Sequence, residues 1–216
     1  MHKLFQRRVI NSFGKVHFTQ RIETNGTKRT QVTSKSIVKK LLDFCEIKTF
    51  RRKQYKNNEF PEVKLPKFIK KLPQPAILKF LKVIFSADGS ISISVRWHKR
   101  NKNWEIRRRI ELTCKHPRLR NDFFEIIRKA GFSPRTSTEN ITLERKNDIL
   151  RFSKDVRFIS KIKVGGDSKN WKGFEKNQIL DLAVKTLGFK KKKLEKFKSK
   201  KEIIDFLKSQ IHPQRG

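Results

Sequence analysis

The chain has 216 residues, enough for one domain or two small ones with a sizeable core. Its 55 Lys and Arg residues against 20 Asp and Glu residues give a net charge of +35 and a pI of about 10.7, which predict a polyanionic partner, most commonly nucleic acid. No segment approaches the roughly 18 consecutive apolar residues of a membrane-spanning helix, so we expect no membrane partner.

The cysteine content and the N-terminal residues indicate the compartment. Cys45 and Cys114 are too few for a disulfide framework, and the chain does not begin with an apolar run of signal-peptide length. We therefore expect an intracellular, cytoplasmic protein in a reducing compartment. Both cysteines stand among apolar residues, which favours small buried side chains over catalytic thiols or zinc ligands.

Residues 1–65 carry the pattern of a hairpin, a helix and two further strands. Residues 9–23 alternate in part, and Gly26 marks a turn before residues 29–33. Ser34 or Ser36 can cap a helix whose apolar residues recur at helical spacing through residues 37–45. Two more strands are expected at residues 47–56 and 59–65.

A strongly apolar helix is predicted over residues 75–88. Pro75 suits a first helical turn, and Gly89 suits a left-handed residue just past the helix end. Because nearly every position between them is apolar, we expect the helix to be central and buried on almost all sides.

Beyond Gly89 the pattern predicts strands at residues 91–98 and 105–115, then a helix that Pro117 opens and Gly131 closes. Arg108 is the one charged residue on the inward side of the second strand. Two short strands are expected at residues 140–145 and 148–153, then a helix through Ile179 and Leu187. The lysine-rich tail from residue 188 to 216 is expected to be helical.

Asp88, the last residue of the apolar helix, is the main chemical feature. A carboxylate at a helix C-terminus meets unpaired carbonyls and the negative end of the helix dipole, which is unfavourable unless a cation is present. The pattern therefore predicts a bound metal ion. The alternative is that Asp88-Gly89 is an ordinary turn dipeptide.

The residues around Asp88 carry a family resemblance. The stretch FLKVIFSADGS at residues 80–90, preceded by LPKFI at residues 65–69, resembles the motif of the LAGLIDADG homing endonucleases. The resemblance implies an α+β fold of αββαββα units, with two mainly antiparallel sheets that form a DNA-binding saddle. Val83 stands where the family commonly has Gly, and Ser86 where it often has an acid.

An internal repeat suggests two such units. Arg21-Ile22-Glu23 and Arg109-Ile110-Glu111 each precede a predicted helix, and the repeat places the start of the first copy where its own acid-tipped helix should end. The expected division is residues 1–72, a half-unit lacking its motif helix; residues 73–187, a motif unit with its helix at 75–88; and residues 188–216, a basic tail. A late start codon, a decayed gene and a dimer of two Asp88 helices all remain open explanations.

The resemblance also implies site residues. Asp88 would be catalytic, Asp88 and Gly89 would bind Mg²⁺, and Lys172 or Lys176 would polarise the attacking water, although either can be an ordinary surface lysine. Outward-facing residues of the predicted strands would contact nucleic acid: Arg21, Arg29, Ser92, Ser94, Arg96, His98, Arg107, Arg109 and Lys115. The alternative is that these residues form a solvated strand face without a ligand.

Two functions are expected from different classes. The first is a Mg²⁺-dependent, site-specific endonuclease that hydrolyses both strands of a long double-stranded DNA target, with activity impaired by the loss of the first motif unless a homodimer forms through the Asp88 helix. The second is a noncatalytic binder of DNA or RNA, either a regulator or an intron-splicing maturase. The missing second acid favours the binder, whereas the retained Asp88-Gly89 favours the enzyme.

Overall fold

A computed structural model describes residues 2–22, 24, 28–32, 34–44, 64–165, 168–189 and 192–211. The chain divides into two compact units, residues 1–66 and 67–216, and each is described by itself. No helix among the described residues has the length and apolar character needed to cross a membrane.

The first unit contains helix α1 (His2–Phe13), an antiparallel hairpin of β1 (Phe18–Ile22) and β2 (Lys28–Val32), and helix α2 (Lys35–Phe44). The predicted hairpin and the helix after it are confirmed. Ser34 caps α2 by accepting a hydrogen bond from the Ile37 N–H at 3.4 Å, which satisfies one of the free donors of the first turn.

One expectation for this unit is corrected. Residues 9–13 were expected to be extended, but they are helical, because Phe5, Val9 and Phe13 recur every four residues and the alternation begins only near Val16. Helix α1 precedes the hairpin in chain order, and the expectation that this unit lacks its acid-tipped motif helix stays a prediction. What α1 lacks is an acid, since its sequence HKLFQRRVINSF contains none. The strands expected at residues 47–56 and 59–65 fall almost wholly outside the described residues.

The second unit is built around an antiparallel sheet with strand order β3-β4-β6-β5. Its strands are β3 (Gly89–His98), β4 (Asn103–Thr113), β5 (Arg135–Thr136) and β6 (Asn140–Leu143). Its helices are α3 (Lys67–Lys70), α4 (Gln74–Ala87), α5 (Pro117–Lys129), α6 (Lys146–Arg151, continued by a π-helical turn at Phe152–Val156), α7 (Lys176–Thr186), α8 (Lys192–Glu195) and α9 (Lys200–Ser209).

The α+β class with two antiparallel sheets is confirmed. From α4 to α6 the elements follow the expected order αββαββα, but the strand expected at residues 148–153 is wrong. These residues are helical because Ile149, Phe152 and Val156 are buried at helical spacing, and Asp148 accepts a hydrogen bond from the Ser133 N–H at 3.0 Å. The saddle formed by both sheets stays a prediction.

Helix α4 packs one face on the sheet. Ile77, Leu81 and Phe85 recur every four residues and are fully buried, and the Phe85 ring lies edge-on to Phe152 with centroids 5.1 Å apart. The expectation of burial on almost all sides is wrong, because Val83 is 52% exposed on the opposite face. This mostly apolar helix therefore leaves an apolar stripe at the surface of this unit.

The basic tail is helical, as predicted, in α8 and α9. Its apolar residues Leu194, Ile203, Ile204 and Leu207 are buried, and α9 packs against β3. The division of residues 73–216 into a motif unit and a tail stays a prediction.

Candidate active site and nucleic-acid interface

The C-terminal end of α4 positions Asp88. The Asp88 N–H closes the last helical turn by donating to the Ile84 carbonyl at 2.9 Å, and the chain then enters β3 directly. The Asp88 side chain is exposed, while its carbonyl accepts a hydrogen bond from the Thr113 N–H of β4 at 3.4 Å. The carboxylate is therefore held at the junction of the apolar helix and the sheet.

Gly89 is required by close packing and not by a left-handed conformation, which corrects the expectation from sequence. Its φ lies outside the positive range, and it is the first residue of β3. A Cβ at this position would lie 2.5 Å from the Phe85 carbonyl oxygen and 2.7 Å from the Phe85 Cα. Only glycine lets the strand turn back this closely on the last turn of α4.

Lys176 places a buried cation beneath this junction. It is the first residue of α7, whose start is fixed by a capping box between Glu175 and Gln178. The Lys176 Nζ donates to the Ser86 carbonyl at 3.0 Å and to the Gly89 carbonyl at 2.5 Å. Burial lowers the pKa of Lys176 from its ordinary value, and attraction to Asp88 opposes that shift.

This geometry supplies the cation that the sequence argument requires at the helix end. The ammonium group on the Ser86 carbonyl satisfies one free acceptor in the last turn of α4 and opposes the negative end of the dipole, and its second hydrogen bond goes to the first residue of β3. The interpretation of Lys176 as an ordinary surface lysine is therefore wrong. Lys172 lies exposed in the turn before α7.

Two polar side chains hold the segment at Phe158-Ile159 between α4 and α7. The buried Ser86 Oγ accepts from the Ile159 N–H at 2.7 Å and donates to the Lys82 carbonyl at 2.5 Å. The Asn177 side-chain amide brackets Phe158, accepting from its N–H and donating to its carbonyl, each at 3.0 Å. The position of Lys176 relative to Asp88 is thus set by hydrogen bonds on both sides.

The Asp88 carboxylate provides one ligand of the type that a hard divalent cation prefers. An exposed carboxylate suits Mg²⁺, which keeps several waters and needs only one or two carboxylates beside phosphate oxygens. The Gly89 carbonyl, the other expected ligand, already receives the Lys176 ammonium. Within the described part of the chain, no three His, Cys, Asp or Glu side chains are grouped so that they could hold a metal ion.

Alternate residues of β3 and β4 form a polar face opposite the core, which we call the basic strand face. Ser92 lies opposite Arg109, Ser94 opposite Arg107, and Arg96 opposite Glu105. The three arginines are exposed, and Ser92 and Ser94 with Arg107 and Arg109 line an open groove of 480 Å³. The predicted strand residues are therefore brought together on one surface.

Carboxylates orient two of these arginines. The Arg107 Nε donates to Glu105 at 3.3 Å, and the Arg109 Nε donates to Glu144 at 2.6 Å. Arg135 of β5 lies 3.9 Å from the same Glu144. Sequence reasoning missed Arg135 because β5 has only two residues and shows no alternation, and it missed Glu144 because the pairing of that carboxylate with Arg109 joins residues 35 apart in the chain.

The remaining predicted residues are His98, Lys115, Arg21 and Arg29. His98 ends β3, half-buried, and its Nδ1 accepts from the Asn101 N–H at 3.2 Å, while Lys115 is exposed just after β4. Arg21 and Arg29 are exposed and lie directly opposite each other in the hairpin of the first unit. Arg108 lies on the inward side, as expected, and its Nε donates to the Thr186 hydroxyl at 2.8 Å.

No family model and no curated protein matches the sequence. Among solved structures, the chain is similar to one described as the homing endonuclease I-CvuI in complex with its target in the presence of 2 mM Ca. The identity is 12% and the TM-score 0.42, over 66% of this chain and 85% of the other.

Proposed function

We propose that the chain is a LAGLIDADG-type endonuclease that binds double-stranded DNA along the basic strand face and hydrolyses it beside Asp88. The observation that supports this most is the continuity of the two features. Asp88 is followed at once by β3, whose alternate residues Ser92, Ser94 and Arg96 line the face. A duplex lying on that face would bring a phosphate to the exposed carboxylate.

The electrostatics support a polyanionic ligand. The net charge of +35 is large for 216 residues, and serine hydroxyls alternate with guanidinium groups along the face. Such groups donate hydrogen bonds to phosphate oxygens and to base edges in the major groove. RNA would satisfy the phosphate contacts equally well, so the groove contacts decide between the two nucleic acids.

Asp88 would hold Mg²⁺, which supplies charge neutralisation at the phosphate and a water of lowered pKa. Lys176 contributes in two ways. Two of its three ammonium donors join the last turn of α4, at the Ser86 carbonyl, to the start of β3, at the Gly89 carbonyl, on either side of Asp88. In this proposal its third N–H would orient a water beside Asp88, which is the role of the water-polarising residue. Lys172 is the weaker candidate because it is exposed.

A homodimer through α4 would supply the second acid. Hydrolysis of both strands needs an acid near each scissile phosphate, and α4 is the one acid-tipped helix of this type in the part of the chain that the structure describes. The exposed Val83 and Ala87 belong to the apolar stripe of α4, which suits contact with a second copy. Two copies joined there would bring both Asp88 residues together.

One observation favours the second candidate, a noncatalytic binder of DNA or RNA acting as a regulator or an intron-splicing maturase. The Gly89 carbonyl, an expected metal ligand, accepts the Lys176 ammonium, so the cation beside Asp88 is already part of the protein. In that function Asp88 and Lys176 stabilise the helix end, and the basic strand face provides the whole activity.

Cleavage of a plasmid library that carries segments of the source genome separates the two candidates. The endonuclease cuts a single locus with Mg²⁺ and not with a chelator, and its rate rises more steeply than linearly with protein concentration below the dimer dissociation constant. Absence of cutting on every locus, together with tight and metal-independent binding, would reject the endonuclease and favour the binder.

A further inference from the structure

We propose that a pocket built on Trp97 and Trp104 binds an unpaired nucleobase of single-stranded nucleic acid. The two tryptophans are directly opposite each other near the end of the β3–β4 ribbon. They lie on the face that carries Ile91, Ile93 and Val95, so they do not belong to the basic strand face. The pocket is therefore separate from the proposed duplex-binding surface.

The indole rings are held in place but not covered. Trp104 and Trp97 lie edge to face, with centroids 5.0 Å apart and an angle of 68° between their planes. The Trp104 Nε1 donates to the Phe197 carbonyl at 3.1 Å, which fixes that ring against the tail. Trp97 nevertheless remains 43% exposed, although tryptophan is usually well buried. A rigid, partly open indole is a platform on which a planar ring can stack.

The pocket has the size and the charge for a nucleotide. The two indoles open into a space of 620 Å³ that is also lined by Lys102, Lys198 and Glu195. That volume lies within the range of small-ligand sites, and two ammonium groups against one carboxylate favour an anion. Proteins that hold single strands combine such cations, which contact the phosphates, with aromatic rings on which bases stack. A neutral planar ligand would leave the lysines without a role.

The test measures binding of a labelled 12-nucleotide oligo(U) by fluorescence anisotropy at about 150 mM salt, with the full chain. Trp97→Leu keeps apolar volume but removes the ring, and we expect affinity to fall about 5- to 100-fold. Trp97→Phe keeps a ring and should stay within about threefold of the wild type. Affinity for a duplex of equal length should be unchanged in both variants, since Trp97 lies off the basic strand face.

A second measurement needs no variant. The wild type should bind an abasic strand of the same length about as weakly as Trp97→Leu binds oligo(U), because only the base stacks. Binding of oligo(U) should also quench tryptophan fluorescence, and the quenching should be lost in Trp97→Leu.

Oligo(dT) tested beside oligo(U) identifies the sugar: equal losses in Trp97→Leu indicate base stacking alone, and a loss confined to oligo(U) indicates an RNA site. Equal affinity of the wild type for the abasic strand and oligo(U), or equal losses on duplex and single strand in Trp97→Leu, would overturn the proposal.

Discussion

The end of α4 and the basic strand face both carry polar groups, yet they are built in opposite ways. At the helix end, the buried Lys176 ammonium donates hydrogen bonds to the Ser86 and Gly89 carbonyls, so its position is fixed. On the strand face, Arg96, Arg107 and Arg109 are exposed. Two of them form ion pairs with partly exposed carboxylates, Arg107 with Glu105 and Arg109 with Glu144. A fixed geometry of this kind suits a catalytic step, whose rate depends on the exact position of individual groups. A set of exposed charges suits binding, because each charge adds to the attraction of a polyanion.

The largest effect on binding is expected from charge reversal on the strand face. Arg107→Glu with Arg109→Glu places new carboxylates beside Glu105 and Glu144 and should weaken duplex affinity roughly 10- to 100-fold at 0.1 M salt. The affinity of the double variant should also depend less on salt. Filter binding or anisotropy over a salt series measures both quantities.

The matched control is Lys200→Glu with Lys201→Glu, which makes the same change in net charge on the exposed start of α9. Its loss of affinity should be several-fold smaller. Equal losses from both pairs would show that the strands are not the docking surface.

The next effect concerns the helix end. Lys176→Met leaves the Ser86 and Gly89 carbonyls without their donor and should lower the free energy of unfolding by about 2 kcal/mol. Lys172→Met, at an exposed position, should change it by less than about 0.5 kcal/mol. Denaturant unfolding of the three proteins gives the comparison, and equal stability of both variants would mean that the buried ammonium contributes nothing.

The pH dependence of the unfolding free energy of wild type and Lys176→Met tests the same hydrogen bonds. Because burial lowers the pKa of Lys176, the unfolded chain binds more protons than the folded one between that lowered value and 10.5. The contribution of Lys176 to stability therefore rises with pH through that window. The difference in unfolding free energy between wild type and Lys176→Met should grow from pH 8 to pH 10, and a difference that shrinks would contradict the burial argument.

A similar effect on stability is expected from the closeness of α4 and β3. Gly89→Ala forces a methyl group against the Phe85 backbone and should destabilise the fold by about 1–3 kcal/mol. Gly165→Ala is the control, because a Cβ there meets no atom within 4 Å. Thermal melts of both variants check this, and an unchanged stability of Gly89→Ala would contradict the close approach of β3 to the last turn of α4.

The smallest effect on stability is expected from the apolar stripe. Val83→Ser, at a position that is 52% exposed, should change the unfolding free energy by less than about 0.5 kcal/mol. It should nevertheless raise the protein concentration needed for half-maximal cutting, whereas Leu150→Ser, also an exposed apolar position, should not. A concentration series of cleavage rates distinguishes them, and identical curves would argue against a dimer through α4.

The same contrast explains what could be predicted from sequence. The strand face could be predicted from the alternation in residues 91–98 and 105–113. Alternation within a single strand assigns each residue to one face without any knowledge of tertiary contacts. The buried Lys176 could not be found that way, since its acceptors are 90 and 87 residues away in the chain. The sequence predicts a helix through Ile179 but not the capping pair, Glu175 and Gln178, with which that helix begins.

The errors share a physical cause. Gly89 was assigned a left-handed conformation because glycine after a helix usually has one, whereas here a tertiary approach to Phe85 decides. Helix α4 was expected to be buried on almost all sides, because its apolar composition does not show which face packs on the core. The exposed Val83 marks the face that lacks a neighbour in this unit. Local patterns identify elements, but contacts between distant residues define the site.

The most direct test of the central claim, that Asp88 carries cleavage while the strand face carries binding, compares wild type and Asp88→Asn on one DNA that the wild type cuts. Cleavage and affinity are measured in the same buffer with Mg²⁺. Cutting should fall by at least about 1,000-fold, whereas affinity should stay equal or rise slightly, because a negative charge near phosphate is removed. An Asp88→Asn protein that cuts at nearly the wild-type rate would contradict the account.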